Sequence, residues 1–173
     1  MALILGIDPG SRLTGYGIIN AVGNKLEYVC CGSIKLPAVD HPERLKLIFD
    51  TLGQLIEQHM PQECAIEEVF LGKSVSSALK LGQARGAAIV ACMHHRLPVA
   101  EYSPRKVKQA IVGNGGAGKD QVQHMVKILL GVSGEVQEDA ADALALAICH
   151  ANTKASMNKL AGAKNFRRGR LIK

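Results

Sequence analysis

The sequence predicts a single α/β domain built on a five-stranded mixed sheet, three antiparallel strands followed by two parallel ones, with helices on both faces. Three observations predict it. An apolar run from Ala2 ends at Asp8-Pro9-Gly10, the form of a fully buried strand stopped by turn residues. Segments 13–20 and 25–36 are rich in Tyr, Ile, Val and Leu and flank Ala21-Val-Gly-Asn24, so the first three strands read as an antiparallel meander. After Pro37, helical and strand-like segments alternate, and a helix crossing between two strands of one sheet makes them parallel.

The elements follow in order. Between Pro42 and His59, Leu45, Ile48, Phe49, Leu52, Leu55 and Ile56 recur at helical spacing with charges opposite. Glu63 to Val69 is a short strand after Pro61, with two acids near its end. Residues 75–95 carry Ala78, Leu81, Gly82, Gly86, Ile89, Val90 and Met93 at helical intervals, a long helix closely approached by another surface. Pro98 to Tyr102 is the last strand, and Pro104 opens a short helix where proline is tolerated. Gly113-Asn-Gly-Gly-Ala-Gly118 breaks structure before two helices over 119–131 and 136–152. Residues 1–153 therefore form the domain, and 154–173 are expected to be a basic, flexible tail.

Composition narrows the function. The 173 residues are 47% hydrophobic and 21% charged, an ordinary globular balance. The N-terminal apolar run meets Asp8 too early for a signal peptide, and no stretch nears the ~20 apolar residues of a membrane span, so a cytoplasmic protein with no membrane partner is expected. Five cysteines without a CxxC pair (Cys30, Cys31, Cys64, Cys92, Cys149) suggest reduced, mostly buried thiols. The net charge of +6 belongs to the tail, where seven basic residues meet no acid; residues 1–153 hold 14 basic and 15 acidic groups. The body is nevertheless polarised. Between Phe70 and Lys119, eight basic residues face one acid, Glu101, a bias that creates a positive face.

Four carboxylates could converge. Asp8 ends the first strand, Glu67 or Glu68 ends a strand parallel to it, and Asp139 and Asp142 lie three residues apart on one face of the last helix, flanked by alanines. Open α/β sheets place ligands at the carboxyl edge of their strands. Such acids repel one another, and a hard divalent cation with oxygen ligands is their natural partner, Mg²⁺ first. Two ions ~3.5–4 Å apart could activate a water and stabilise the leaving oxygen of a phosphodiester. Structural alternatives exist for each: a helix dipole favours early acids, and Asp-Pro-Gly is a common turn.

The segments Leu5-Gly-Ile-Asp-Pro-Gly-Ser-Arg-Leu-Thr-Gly-Tyr-Gly17, Ala65-Ile-Glu-Glu-Val-Phe70, Ala78-Leu-Lys-Leu-Gly-Gln-Ala-Arg-Gly86 and Asp139-Ala-Ala-Asp-Ala-Leu-Ala145 closely resemble the RuvC family of Holliday-junction resolvases, within the ribonuclease H-like superfamily. The resemblance spans residues 1–152 and implies a ribonuclease H-like fold. It also implies that the metal-binding, catalytic acids are Asp8, Glu67, Asp139 and Asp142, choosing Glu67 over its neighbour. It implies two Mg²⁺ per subunit, with Mn²⁺ as a substitute, and a homodimer that nicks a four-way junction symmetrically in recombination and DNA repair, leaving 5′-phosphate and 3′-hydroxyl ends. A branch-migration helicase of the RuvA and RuvB type is the implied partner. Phe70 resembles the family's base-stacking aromatic, and Lys108 and Lys119 match its basic residues near the scissile phosphate. Lys73, Lys80, Arg85 and Arg105 are further DNA-contact candidates by composition, and helix 75–95 is the candidate dimer interface.

Three rivals compete. Gly113 to Lys119 satisfies GxxxxGK, the phosphate-binding loop of nucleotide hydrolases, but Asp120 replaces the needed hydroxyl and Pro104-Arg-Lys-Val-Lys108 is a poor buried strand. Gly6 to Gly10 also resembles the phosphate loop of actin-like kinases, which need a second such domain. The remaining alternative is another ribonuclease H-like nuclease acting on RNA or non-junction DNA, or an inactive nucleic-acid-binding relative.

Overall fold

The computed structural model describes residues 1–68, 74–161, 165–167 and 170–172. Strands β1 (Ala2–Asp8), β2 (Leu13–Val22) and β3 (Lys25–Lys35) form the meander; helix α1 (His41–His59) leads to β4 (Glu63–Glu67) and α2 (Val75–His94) to β5 (Val99–Tyr102). Helices α3 (Pro104–Val112), α4 (Lys119–Leu130) and α5 (Glu138–Ala161) follow. The sheet order is β3-β2-β1-β4-β5, with β1 antiparallel to β2 and parallel to β4, and β4 parallel to β5. The expected five-stranded mixed sheet is the observed one.

Local chemistry sets the element ends. The β2–β3 turn narrows to Gly23-Asn24, with Gly23 at φ 61°, because Ala21 and Val22 still pair with Leu26 and Lys25. Ser74 and Ser103 cap α2 and α3, their hydroxyls accepting the N–H groups of Ser77 and Lys106 at 3.3 and 3.4 Å. Among the described residues no helix is long and apolar enough to cross a membrane. The five cysteines are free thiols; Cys64, Cys92 and Cys149 are buried and Cys30 and Cys31 partly so.

Strand alternation divides the core in two. Leu5, Ile7, Ile18, Cys64 and Ile66 point to one face and pack with Ile48 and Leu52 of α1 and Ala84 and Ala88 of α2. Ile4, Ile19 and Ala65 point to the other and pack with Leu144 and Ile148 of α5, over which Val107 of α3 and Val122 of α4 close a further layer. The first half of α5 is therefore buried on all sides, which its alanine-rich sequence permits.

Glycines on β1 and β2 set the distance between this helix and the sheet. A Cβ on Gly6 would stand 1.9 Å from the Ala143 carbonyl oxygen, and one on Gly15 would stand 2.0 Å from that of Asp139. Both are backbone atoms that cannot step aside. By contrast, Gly82 and Gly86 of α2 have open space where a Cβ would lie, so among the described residues nothing makes the close approach expected at those glycines.

Helix α5 departs from the expected 136–152. It begins at Glu138 and continues to Ala161, so the boundary drawn after residue 153 falls inside a helix. The apolar period ends near residue 151, but no Gly or Pro stands before Gly162, and Lys, Ala, Met and Leu propagate an established helix. Further on, β6 (Asn165–Arg167) pairs antiparallel with β7 (Arg170–Ile172), so part of the segment expected to be flexible has regular structure. A polar chain ties α5 to the sheet. The Tyr102 hydroxyl shares a hydrogen bond with His150 Nδ1 at 2.8 Å, His150 Nε2 meets Glu63 Oε2 at 2.6 Å, and Lys154 pairs with the other oxygen of Glu63. His150 is thus largely internal, its side chain 12% exposed.

Gly15→Ala is expected to lower stability by about 2–3 kcal/mol, since overpacking against backbone forces the helix outward. Urea unfolding measures the loss.

Candidate active site

The register Ile7↔Ile66 brings the ends of β1 and β4 side by side, so Asp8 and Glu67 are neighbours at the carboxyl edge of the sheet. Alternation turns both toward α5, on the side of Ile4 and Ala65, and turns Glu68 away. That parity puts Glu67, and not Glu68, on the side of the cleft. Asp142, in the first turns of α5, completes a carboxylate trio lining a cleft of about 230 Å³, together with Lys108 of α3 and Lys119 at the start of α4. Val107, Val122 and Leu146 supply its apolar wall.

Asp139 stands one turn before Asp142, half-buried, and does not line the cleft. Its charge still reaches Asp8. Burial first, then repulsion from Glu67, Asp142 and Asp139, push the Asp8 carboxyl up to about 8, with Lys119 pulling the other way. Burial and Asp142 raise Glu67 as well, moderated by a hydrogen bond from Asp8 and by the charges of Lys119 and Lys108. Asp142 is raised by burial, against the pull of Lys119.

Lys119 is the counter-ion of the cleft. Its ammonium pairs with Glu138 and lies 3.3 Å from Asp142 Oδ2. The Glu138 hydrogen bond, with the charge of Asp142, holds the lysine above its ordinary range despite partial burial. Among the described residues no three His, Cys, Asp or Glu side chains are drawn into a closed ligand cluster. The donor chemistry nevertheless fits a hard cation: three carboxylates face one cleft, each raised first by burial and then by neighbouring acids, and oxygen donors of this kind suit such an ion.

The remaining candidates separate. Lys80 and Arg105 are exposed on α2 and α3. Arg85 is turned inward: its Nε donates to the Glu67 carbonyl at 3.1 Å and its terminal nitrogen pairs with Glu101. Phe70 and Lys73 lie outside the described residues. The GxxxxGK segment links α3 to α4, so a helix precedes it where a nucleotide-binding loop needs a strand. Sequence reasoning missed Glu138 as the partner of Lys119, and missed the glycines that admit α5. Gly6 amid apolar strand residues and the alternating Gly15 and Gly17 were the available signal.

A central β1 flanked by an antiparallel and a parallel neighbour, with carboxylates where β1 and β4 end beneath the final helix, defines the ribonuclease H-like class. The family described as crossover junction endodeoxyribonuclease RuvC matches residues 4–150. Relatives of that name from Teredinibacter turnerae and Saccharophagus degradans are 60% and 58% identical, each aligned over 99% of this chain and 100% of its own. The structure of Thermus thermophilus RuvC in complex with a Holliday junction substrate superposes with a TM-score of 0.86 at 32% identity, covering 91% of this chain and 97% of that one. The yeast mitochondrial Holliday junction resolvase shares the fold, with a TM-score of 0.67 at 13% identity over 90% of this chain and 82% of its own. The chain belongs to the RuvC family.

The raised Asp8 sets the sign of a pH effect. Between its ordinary value of 3.8 and about 8, the folded chain holds a proton there that the unfolded chain has lost. Asp8 therefore contributes less to stability as pH rises through that window. In EDTA, Asp8→Asn is expected to gain about 1–3 kcal/mol over the parent at pH 8 relative to pH 5, visible in thermal unfolding as about 2–4 °C per kcal/mol.

Proposed function

We propose that this protein is a structure-selective endonuclease that resolves four-way DNA junctions by paired symmetric nicks in recombination and repair. The observation that carries the proposal is the trio Asp8, Glu67 and Asp142 in one cleft with Lys108 and Lys119, in a chain of this family. A junction of approximate two-fold symmetry is matched by two identical sites, and the products are 5′-phosphate and 3′-hydroxyl ends. The protein acts in the cytoplasm, and a branch-migration motor of the RuvA and RuvB type delivers the junction.

Asp8, Glu67, Asp139 and Asp142 would hold Mg²⁺, two ions per subunit, with Mn²⁺ as a substitute. When bound, the metal makes water a usable nucleophile at neutral pH and neutralises charge on the leaving 3′-oxygen. Lys108 and Lys119 attract and orient the scissile phosphate at the mouth of the cleft. The apolar wall of Val107, Val122 and Leu146 thins the water around it and strengthens these charge interactions. Exposed Lys80 and Arg105 extend the contact with the DNA backbone, with Lys73; Phe70 stacks on a base at the branch point.

The dimer forms through α2. Val75, Leu79, Gly82, Gly86, Val90 and Met93 recur at intervals of three and four residues, the apolar members exposed and the glycines open. Such a stripe lets the same helix of a second copy approach closely about a two-fold axis. Leu79→Glu is expected to turn the dimer into a monomer in sedimentation and to abolish paired nicking.

Cleavage of a mobile four-way junction, beside a linear duplex and an RNA–DNA hybrid of the same sequence, tests the activity. Symmetric nicks on the junction in Mg²⁺, lost in chelator, are expected; indifference to the branch or preference for RNA moves the protein to another ribonuclease H-like substrate. Asp8→Asn is expected to cut cleavage by ~10²–10³-fold or more while junction binding persists, because binding rests on the basic groups. Full activity of that variant would sink the metal assignment.

A further inference from the structure

We propose that Arg85 is a positioning residue for Glu67, holding the end of β4 in the orientation the cleft requires, and not a DNA contact. The inference rests on Glu67 being a metal ligand under the function proposed above.

The backbone around Glu67 is short of a donor. Along β4, the N–H groups of Cys64 and Glu68 reach the carbonyls of Pro98 and Tyr102 on the β5 side. The groups of Glu67, odd in that alternation, therefore face β1. Continuing the register Ile7↔Ile66 by one step sets the Glu67 carbonyl against residue 9, which is proline and has no N–H to give. Arg85 provides the missing bond, its Nε donating to that carbonyl at 3.1 Å across from α2.

The guanidinium is itself fixed. Its other end pairs with Glu101 of β5, and the Arg85 side chain is only 20% exposed. One planar group thus links α2 to β4 and β5 beneath the carboxylate that β4 presents to the cleft. A flexible surface arginine reaching for phosphate has neither partner. The planar fork also explains the residue type, because two acceptors on two strands are met by one rigid set of donors.

Among the described residues, loss of this strut leaves the Glu67 carbonyl without a donor and lets Glu67 move relative to Asp8 and Asp142. Supporting groups of this kind, when removed, cost ~10–100-fold in metal affinity or activity. The variants are Arg85→Lys, Arg85→Gln and Glu101→Ala, each read by Mn²⁺ calorimetry, Mg²⁺ titration of junction cleavage, thermal unfolding, and junction binding in chelator at several salt concentrations. Weaker Mn²⁺ binding, ~10-fold more Mg²⁺ for half-maximal cleavage and an unchanged salt slope of binding are expected for both Arg85 variants. Glu101→Ala should shift the metal dependence the same way by less.

A salt slope lowered by ~1 with metal affinity unchanged would return Arg85 to phosphate contact. A fall in unfolding temperature with metal affinity unchanged would make it merely structural and would also overturn the proposal. Failure of the underlying metal assignment reads out separately, as full cleavage by Asp8→Asn. Glu101, with its side chain half exposed, keeps the test available where an Arg85 variant folds poorly.

Discussion

The contact on which the rest depends is the one between the backbone of α5 and the glycines of β1 and β2. At Gly6 and Gly15 the helix lies so close that a single methyl group would meet carbonyl oxygen at about 2 Å. That closeness draws Asp142 toward Asp8 and within ion-pair reach of Lys119. A helix held off by ordinary strand side chains would sit farther from the sheet, and its acids would no longer share a cleft with those of β1 and β4. The alanines of α5 and the glycines of the sheet are two halves of one fit.

The fit creates an electrostatic burden. Partly buried carboxylates face one another, and the fold answers with a shared proton high on Asp8 and with Lys119, itself steadied by Glu138. The arrangement is costly to folding and useful to chemistry, the usual relation where preorganised charge is kept out of water. Farther along α5, near its middle, the charges are treated differently. There Glu63 meets His150 and Lys154, and these partners outweigh burial to keep its carboxyl below the usual range. The middle of the helix is anchored by satisfied charge and its start holds charge in readiness.

Much of this was legible in the sequence, for physical reasons that also mark where legibility stops. Period-two and helical patterns exposed the five strands and the amphipathic helices, and turn residues after Asp8 exposed its place at a strand end. The spacing of Asp139 and Asp142 showed one helical face, but not that Asp142 alone of the two lines the cleft. Spacing could not choose between Glu67 and Glu68, because that choice depends on register with β1, a relation between segments nearly sixty residues apart. Arg85 was unreadable in the same way: composition counts it as one more positive charge, and only the backbone donor missing at Pro9 reveals its use. The length of α5 was underestimated because burial, not helix-forming capacity, ends near residue 151.

The order of the elements has a consequence for the birth of the molecule. Asp8 precedes the helix bearing Asp139 and Asp142 by about 130 residues, so that helix is made on the order of ten seconds later at ordinary rates of synthesis. Until it arrives, β1 and β2 present a glycine-floored trough with nothing seated in it. A chain interrupted before α5 therefore carries Asp8 and Glu67 without Asp142, and the carboxylate trio is assembled only once that helix has been made.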